Sequence, residues 1–297
     1  MIETRLLYYF LTVARERNIT NASKALHITQ PTLSRQMTLL EEEIGAKLFV
    51  RDSRPLSLTQ EGLLLRRRAE EILELVEKTQ AEISAQEEQV EGTVSVGCGE
   101  LASGKLLMAL TAAFSRQYPR VTFDVYTANA DQIRRRMDNG LTDVGVLLEP
   151  VDMDRYDYIR LPVKETWAAV MPAGDPLAQQ SYVTAKDLAR SPVILPSRQK
   201  VHNEVASWFG SHYDKLRIIA VSNFSTNAAL MVQAGIGYAI IVEGALPFLD
   251  QSVIRMVPLH PALTATSVLA WKRGQPFSTA AGRFLEFAKC FLGMESE

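Results

Sequence analysis

Apolar residues recur with helical period along residues 3–17, at Leu6, Leu7, Phe10, Leu11, Val13 and Ala14. Residues 20–26, TNASKAL, predict a short second helix capped by Thr20. Ala22, Ala25 and Leu26 face inward, and the small alanines let a neighbouring helix approach closely. His27 and Ile28 make a turn. A third helix then buries Leu33, Met37, Leu40 and Ile44, at intervals of 4, 3 and 4. Thr29 supplies an oxygen for its exposed N–H groups, and Pro31 sits in the first turn, where no N–H is needed. Gly45 ends the helix. Leu48-Phe49-Val50 and the serine-alternating Leu56 and Leu58 then flank a polar, basic turn from Arg51 to Pro55, which predicts a small β-hairpin, or wing.

From Thr59 the period changes. Leu65, Ala69, Ile72, Val76, Thr79 and Ile83 form a heptad seam with charged flanks. A helix over 59–89 would span ~45 Å. Such a narrow stripe asks for a partner, either a second copy of itself or another face of its own chain. Glu91-Gly92 marks a boundary, after which strands and helices alternate. TVSVGCG, VTFDVYT, DVGVLL, TWAAVMP, PVILP, LRIIAV, GYAIIV and SVLAWK are strands. Helices fall at 104–117, 130–138, after Thr184, at 201–211, 225–234 and 277–292. The alternation implies mainly parallel sheets. A second series starting near Pro162 implies two lobes with a cleft between them.

The composition is that of a globular protein: 297 residues, 47% hydrophobic, net charge −2. Bulk charge therefore does not announce a nucleic-acid binder, and the local balance carries that argument. Through Leu40, Arg5, Arg15, Arg17, Lys24 and Arg35 stand against Glu3 and Glu16. Cys98 and Cys290 are too far apart in sequence to imply a disulfide framework, and no histidine spacing implies a metal. The N-terminal stripe lacks the features of a signal peptide, and no apolar run approaches the ~20 residues of a membrane helix. A cytoplasmic location without membrane association is expected.

The stretch NASKALHITQPTLSRQM holds no acid and no nucleophile placed for catalysis. The exposed side of the third helix shows Gln30, Thr32, Ser34, Arg35 and Thr38. A polar, uncharged or basic helix start braced by a short helix suits insertion into a DNA major groove. Gln pairs with adenine, and Arg with guanine or phosphate. Arg51 and Arg54 at the wing tip would reach phosphates or the minor groove. The plainer alternative is a helical hairpin with a solvated face and solvated arginines.

In order, the segment TNASKALHITQPTLSRQMTLLEEEIGAKLFVRDSRPLSLTQEG resembles the N-terminal signature of the LysR-type transcriptional regulators. The matching elements are Thr29 to Ser34, Leu40 to Gly45, Leu48 to Arg51 and Leu58 to Gly62. The resemblance implies a winged helix-turn-helix over 1–58, a linker and dimerisation helix over 59–89, and an effector domain over 90–297. That domain would be α/β, two-lobed and periplasmic-binding-protein-like (type II), with lobe 1 at 90–162 and 267–297 and lobe 2 at 163–266. Tyr118-Pro119, Gly140-x-x-Asp143 and Ala234-Gly235-x-Gly237 are looser landmarks of the same family. The implied DNA-binding set is Thr29, Gln30, Pro31, Thr32, Ser34, Arg35, Arg51 and Arg54, on double-stranded promoter DNA. Homodimers through 59–89 and a homotetramer follow from the resemblance alone. No resident cofactor, metal or catalytic residue is expected. The non-enzymatic ligand would be a small-molecule co-inducer.

Helix starts facing the cleft would bind such an effector, because their free N–H groups hold anions. Glu100, Leu101, Ala102 and Ser103 follow the first strand, Asn129 and Ala130 open the second helix, Ser197 and Arg198 follow PVILP, and Asn223 and Phe224 lie in the second lobe. Ser103, Ser225 and Asn129 could equally be helix caps. Glu100-Leu101 stands where the family often has Ser or Thr. Its carboxylate would favour an amine-bearing effector, pair with Arg198, or complement a helix dipole.

Three other functions compete. Gly97-Cys98-Gly99-Glu100-Leu101-Ala102 imitates a dinucleotide-binding turn, with Asp124 as the ribose acid, but that acid lies inside a strand. Cys98 could sense oxidants, although a lone cysteine after a strand is usually an inert core residue. A transport receptor would use the same two lobes but would not need the first ninety residues.

Overall fold

The computed structural model describes residues 2–50, 55–84 and 90–293. The chain divides into two compact units, Met1–Ser84 and Ala85–Glu297.

The first unit is helical. Helices α1 (Thr4–Glu16), α2 (Ile19–Ala25) and α3 (Gln30–Ile44) precede a two-stranded ribbon, β1 (Phe49–Val50) and β2 (Ser57–Leu58), and helix α4 (Gln60–Ser84). Leu6, Leu7, Phe10, Val13, Ala22, Leu33, Met37, Leu40, Leu48, Phe49 and Ala69 bury one core, so the predicted stripes converge. Three details differ. Helix α2 begins at Ile19, because Asn18 and not Thr20 caps it, accepting from Asn21 N at 3.1 Å. Ala25 is exposed, and the buried partner of Ala22 is Ser23, whose hydroxyl donates to the Thr20 carbonyl. Ile44 is half-buried.

The ribbon is antiparallel, Phe49 opposite Leu58 and Val50 opposite Ser57. Its tip, with Arg51 and Arg54, lies outside the described residues. Its base is held by a carboxylate the pattern did not flag. Glu41 of α3 is buried and accepts from Lys47 Nζ at 2.8 Å and Leu48 N at 2.9 Å. Burial pushes its pKa up, but Lys47 and the backbone donors of Leu48 and Phe49 outweigh that and hold it below the usual carboxylate range. Thr59 caps α4 as expected, accepting from Gly62 N at 3.0 Å, and its own hydroxyl donates to the Lys47 carbonyl. A Cβ at Gly62 would lie 2.2 Å from the Leu48 carbonyl oxygen, so only glycine lets α4 start this close to the ribbon.

Helix α4 uses two faces. Leu65, Ala69 and Leu73 pack into the core of their own unit, while Leu64, Ile72 and Leu75 stay exposed. The seam therefore splits. Ala69 belongs to the head, whereas Ile72 and Thr79 face solvent. Residues 85–89 of the predicted helix, and the Ile83 side chain, lie outside the described residues.

The second unit opens with β3 (Gly92–Cys98), α5 (Ser103–Gln117), β4 (Val121–Thr127), α6 (Ala130–Asp138) and β5 (Val144–Leu148). Next come β6 (Tyr156–Pro172), α7 (Ala185–Leu188), β7 (Pro192–Pro196), α8 (Gln199–Phe209), β8 (Arg217–Ser222) and α9 (Ser225–Gln233). It closes with β9 (Tyr238–Val242), β10 (Ile254–Pro258), β11 (Thr264–Lys272) and α10 (Thr279–Phe291). Strands run in the order β4-β3-β5-β11-β6-β9-β7-β8, with β10 on β6.

The sheets are mixed, not mainly parallel. β4-β3-β5 and β8-β7-β9 are parallel trios, one per lobe, and β11 and β6 join them with antiparallel pairing. Strand β6 has 17 residues and pairs with β11 at its first half, then with β9 and β10 at its second. The first half of β6 and all of β10 escaped the pattern, because their polar residues break the apolar runs. Phe114 anchors the first lobe, its ring 4.6 Å from Tyr118 and 5.3 Å from Phe284. Asp143 accepts from Ser95 N at 2.8 Å and so ties β5 to β3. Among the described residues no helix is long and apolar enough to cross a membrane.

Candidate functional site

Two surfaces collect the sequence-derived residues, one in each unit. In the first, Thr29 Oγ1 accepts from Thr32 N at 3.4 Å and lies 2.8 Å from Thr32 Oγ1, so both hydroxyls serve the helix start. Gln30, Pro31, Thr32 and Arg35 are exposed on the opening turns of α3, and Ser34 is half-buried beside them. Thr38 turns inward and donates to the Ser34 carbonyl at 3.1 Å. Arg35 has no hydrogen-bond or ion-pair partner among the described residues. The packed side of the helix is complete beneath this face, through Leu33, Met37 and Leu40. These polar groups are therefore available to base edges and phosphates.

In the second unit a cavity of about 100 Å³ opens between the lobes. Eight sequence-derived residues line it: Glu100, Leu101, Asn129, Ala130, Ser197, Arg198, Asn223 and Phe224. Its remaining wall is largely apolar, with Val146, Leu148, Trp167, Val201, Ile240 and Val242. A recess of about 320 Å³ lies beyond Trp167 and Val201, and its Glu149 is taken up by Arg160 and Thr266.

Ala102 and Ser103 do not line the cavity, for a definite reason. The buried Glu165 of β6 accepts from Ala102 N at 2.7 Å and Ser103 N at 2.9 Å. The α5 start is thus filled by the protein's own carboxylate. Gly244 presses on it from the other side, where a Cβ would meet the Ala102 nitrogen at 2.2 Å. The Ser103 hydroxyl caps nothing. This arrangement also removes the dinucleotide alternative: the donors a pyrophosphate would need are occupied, and Asp124 accepts from Ser95 Oγ at 3.1 Å.

The other helix starts differ from one another. Asn129 caps α6 in a capping box with Gln132, accepting from Gln132 N at 3.0 Å. Ser225 is not a cap, since it stands inside α9. Glu100 serves there instead: its carboxylate accepts from Thr226 N at 3.0 Å and Thr226 Oγ1 at 2.6 Å. Of the three roles open to Glu100, helix-dipole complement is the observed one, and the helix belongs to the opposite lobe. Arg198 pairs elsewhere. It is buried, donates to the carbonyls of Leu148 at 2.9 Å and Pro150 at 2.7 Å, and forms an ion pair with Asp131 at 3.1 Å. Glu100 and Arg198 thus bind the lobes together in opposite directions across the cavity.

Cys98 lies under this region. Burial, with Glu165 nearby, pushes its thiol up to about 12, and it donates to the Gly99 carbonyl. It remains a protonated thiol at neutral pH, which disfavours oxidant sensing. No group of His, Cys, Asp and Glu among the described residues is arranged to hold a metal ion.

Sequence reasoning missed Glu165, Trp167 and Ser222. Glu165 and Trp167 lie on β6, which pairs with strands of both lobes; the pattern places Trp167 only as part of a strand and leaves Glu165 just outside it. Nothing local announced that Glu165 would be fully buried.

Comparison with known proteins gives these features their lineage. Residues 4–63 match the model of the bacterial regulatory helix-turn-helix protein, lysR family, and residues 87–292 match the LysR substrate binding domain. The uncharacterized HTH-type transcriptional regulator YybE of Bacillus subtilis is 29% identical over 96% of this chain and 98% of its own. The Hca operon transcriptional activator HcaR of Escherichia coli is also 29% identical, over 92% of this chain and 93% of its own. The structure of full-length CbnR complexed with its target DNA shares the fold, with a TM-score of 0.74 at 21% identity, covering 97% of this chain and 99% of that one. Two family models that between them span the head and the lobed domain leave one conclusion: the chain belongs to the LysR family of transcriptional regulators.

Proposed function

We propose that the chain binds double-stranded promoter DNA through Gln30, Pro31, Thr32, Ser34 and Arg35, with Arg51 and Arg54 of the wing on phosphates. A small molecule held in the cleft adjusts that binding. The observation that carries this reading is the opening face of α3, polar and exposed, with Arg35 lacking a hydrogen-bond or ion-pair partner among the described residues. CbnR, which shares the fold, was solved on its target DNA, and this supports the same use of the head here.

The exposed Leu64, Ile72 and Leu75 of α4 support pairing with a second copy, which presents two heads to one duplex. A tetramer would add contacts between effector lobes. The chain acts in the cytoplasm and off the membrane, without catalysis or a resident cofactor. Effector binding in the cleft changes lobe packing, and through it the spacing of the heads and the bend of the DNA.

Footprinting on the chain's own upstream region tests this. A protected region spanning two half-sites, altered in extent or bend by a cleft ligand, is expected. Protection no better than on random duplex would overturn the reading. In parallel, Ile72→Glu should lower the oligomeric state in sedimentation. An unchanged state would exclude α4 as the pairing surface.

A further inference from the structure

Among the described residues lining the cleft, Glu100 is the one carboxylate and Arg198 the one cation. Both already have partners within the protein, although Arg198 Nε makes no hydrogen bond. Both Glu100 oxygens sit on Thr226, at the start of α9. Arg198 is held by two carbonyls and by Asp131. The α5 start is filled by Glu165 and the α6 start by its own capping box, whereas the α8 start, at Arg198 in the cleft wall, has no side-chain cap. Between these starts lies a space of about 100 Å³ with largely apolar walls.

We propose that Glu100 is a tethered anion: its carboxylate occupies the α9 start, at which the cleft would otherwise hold an acidic ligand, so the cavity favours neutral ligands over carboxylates. This rests on the cleft being the effector site. A carboxylate entering the cavity would meet the negative charge of Glu100 in a poorly solvated space, with Arg198 already paired to Asp131 and two carbonyls. A neutral apolar molecule meets neither penalty and gains from the walls of Val146, Leu148, Trp167 and Ile240.

The test compares matched probes, propionate with 1-propanol and benzoate with benzyl alcohol, by calorimetric and thermal-shift titration of the full chain and of Glu100→Ser. In the wild type the carboxylates should bind at least tenfold more weakly than their neutral partners. In Glu100→Ser, which frees the α9 start, carboxylate affinity should rise at least tenfold while alcohol affinity stays within twofold. Glu100→Gln keeps the side-chain shape and removes the charge, so a smaller gain in the same direction is expected if the serine variant folds poorly. Equal carboxylate affinity in wild type and both variants would overturn the proposal. Promoter-duplex binding measured alongside separates the two levels. Normal carboxylate exclusion with no ligand effect on DNA would sink the effector reading alone, whereas a ligand effect on DNA produced by benzoate in the wild type would sink the tethered anion alone.

Discussion

The starts of α3 and α5 look alike in sequence, each a small polar segment leading into an amphipathic helix, yet they have opposite fates. At α3, Thr29 caps the helix and leaves Gln30, Thr32 and Arg35 facing outward. At α5, a carboxylate 62 residues away in sequence takes the donors, and Gly244 seals the turn. The difference teaches that a helix start stays open to solvent where its acceptor is its own cap, and is closed where the acceptor comes from elsewhere in the fold. Local sequence shows the start, but the acceptor arrives from a distant strand.

The comparison breaks most visibly at Glu165. Glu165→Ala would leave the buried N–H groups of Ala102 and Ser103 without an acceptor, and urea unfolding should lose about 3 kcal/mol. A loss within about 0.5 kcal/mol, the range of a surface change, would mean the α5 start does not depend on it.

Arg35→Ala probes the opposite end. Because Arg35 has no hydrogen-bond or ion-pair partner among the described residues, stability should stay within about 0.5 kcal/mol, while affinity for the cognate duplex falls by about 1–3 kcal/mol in anisotropy titrations. A change in stability with DNA affinity intact would invert the assignment.

Much of this architecture was legible in the chain. The stripes of the head, the Thr29 and Thr59 caps and most strands of the lobes follow from apolar period and cap chemistry, which are local. Eight cleft residues could be named because helix starts after strands point into a cleft, whatever the side chains do there. Non-local features escaped. The split seam of α4 depends on where α1 packs, the antiparallel β6 and β11 depend on sheet assembly, and the partners of Glu100 and Arg198 lie across the lobes. The burial of Glu41 and Glu165 was not legible either, because sequence shows a carboxylate but not the backbone donors that fold around it.

The smallest expected effect sharpens the contrast through pH. Glu41 is a buried carboxylate with a depressed folded-state pKa, so its contribution is full above the unfolded value and is lost as pH falls through the folded one. Glu41→Gln should cost about 1–2 kcal/mol at pH 7, and the gap to wild type should shrink below about pH 5. A gap that stays constant on acidification would show that the ribbon does not depend on the charge.

The claim that the opening face of α3 reads sequence is tested most directly by one titration: wild type and Gln30→Ala, each against the chain's own upstream duplex and a scrambled duplex of equal length, at fixed salt. Wild type should prefer its own duplex by about a thousandfold or more. Gln30→Ala should lose at least about tenfold of that preference while binding scrambled DNA as before. Equal affinity of the wild type for both duplexes, or a variant with undiminished preference, would contradict the account.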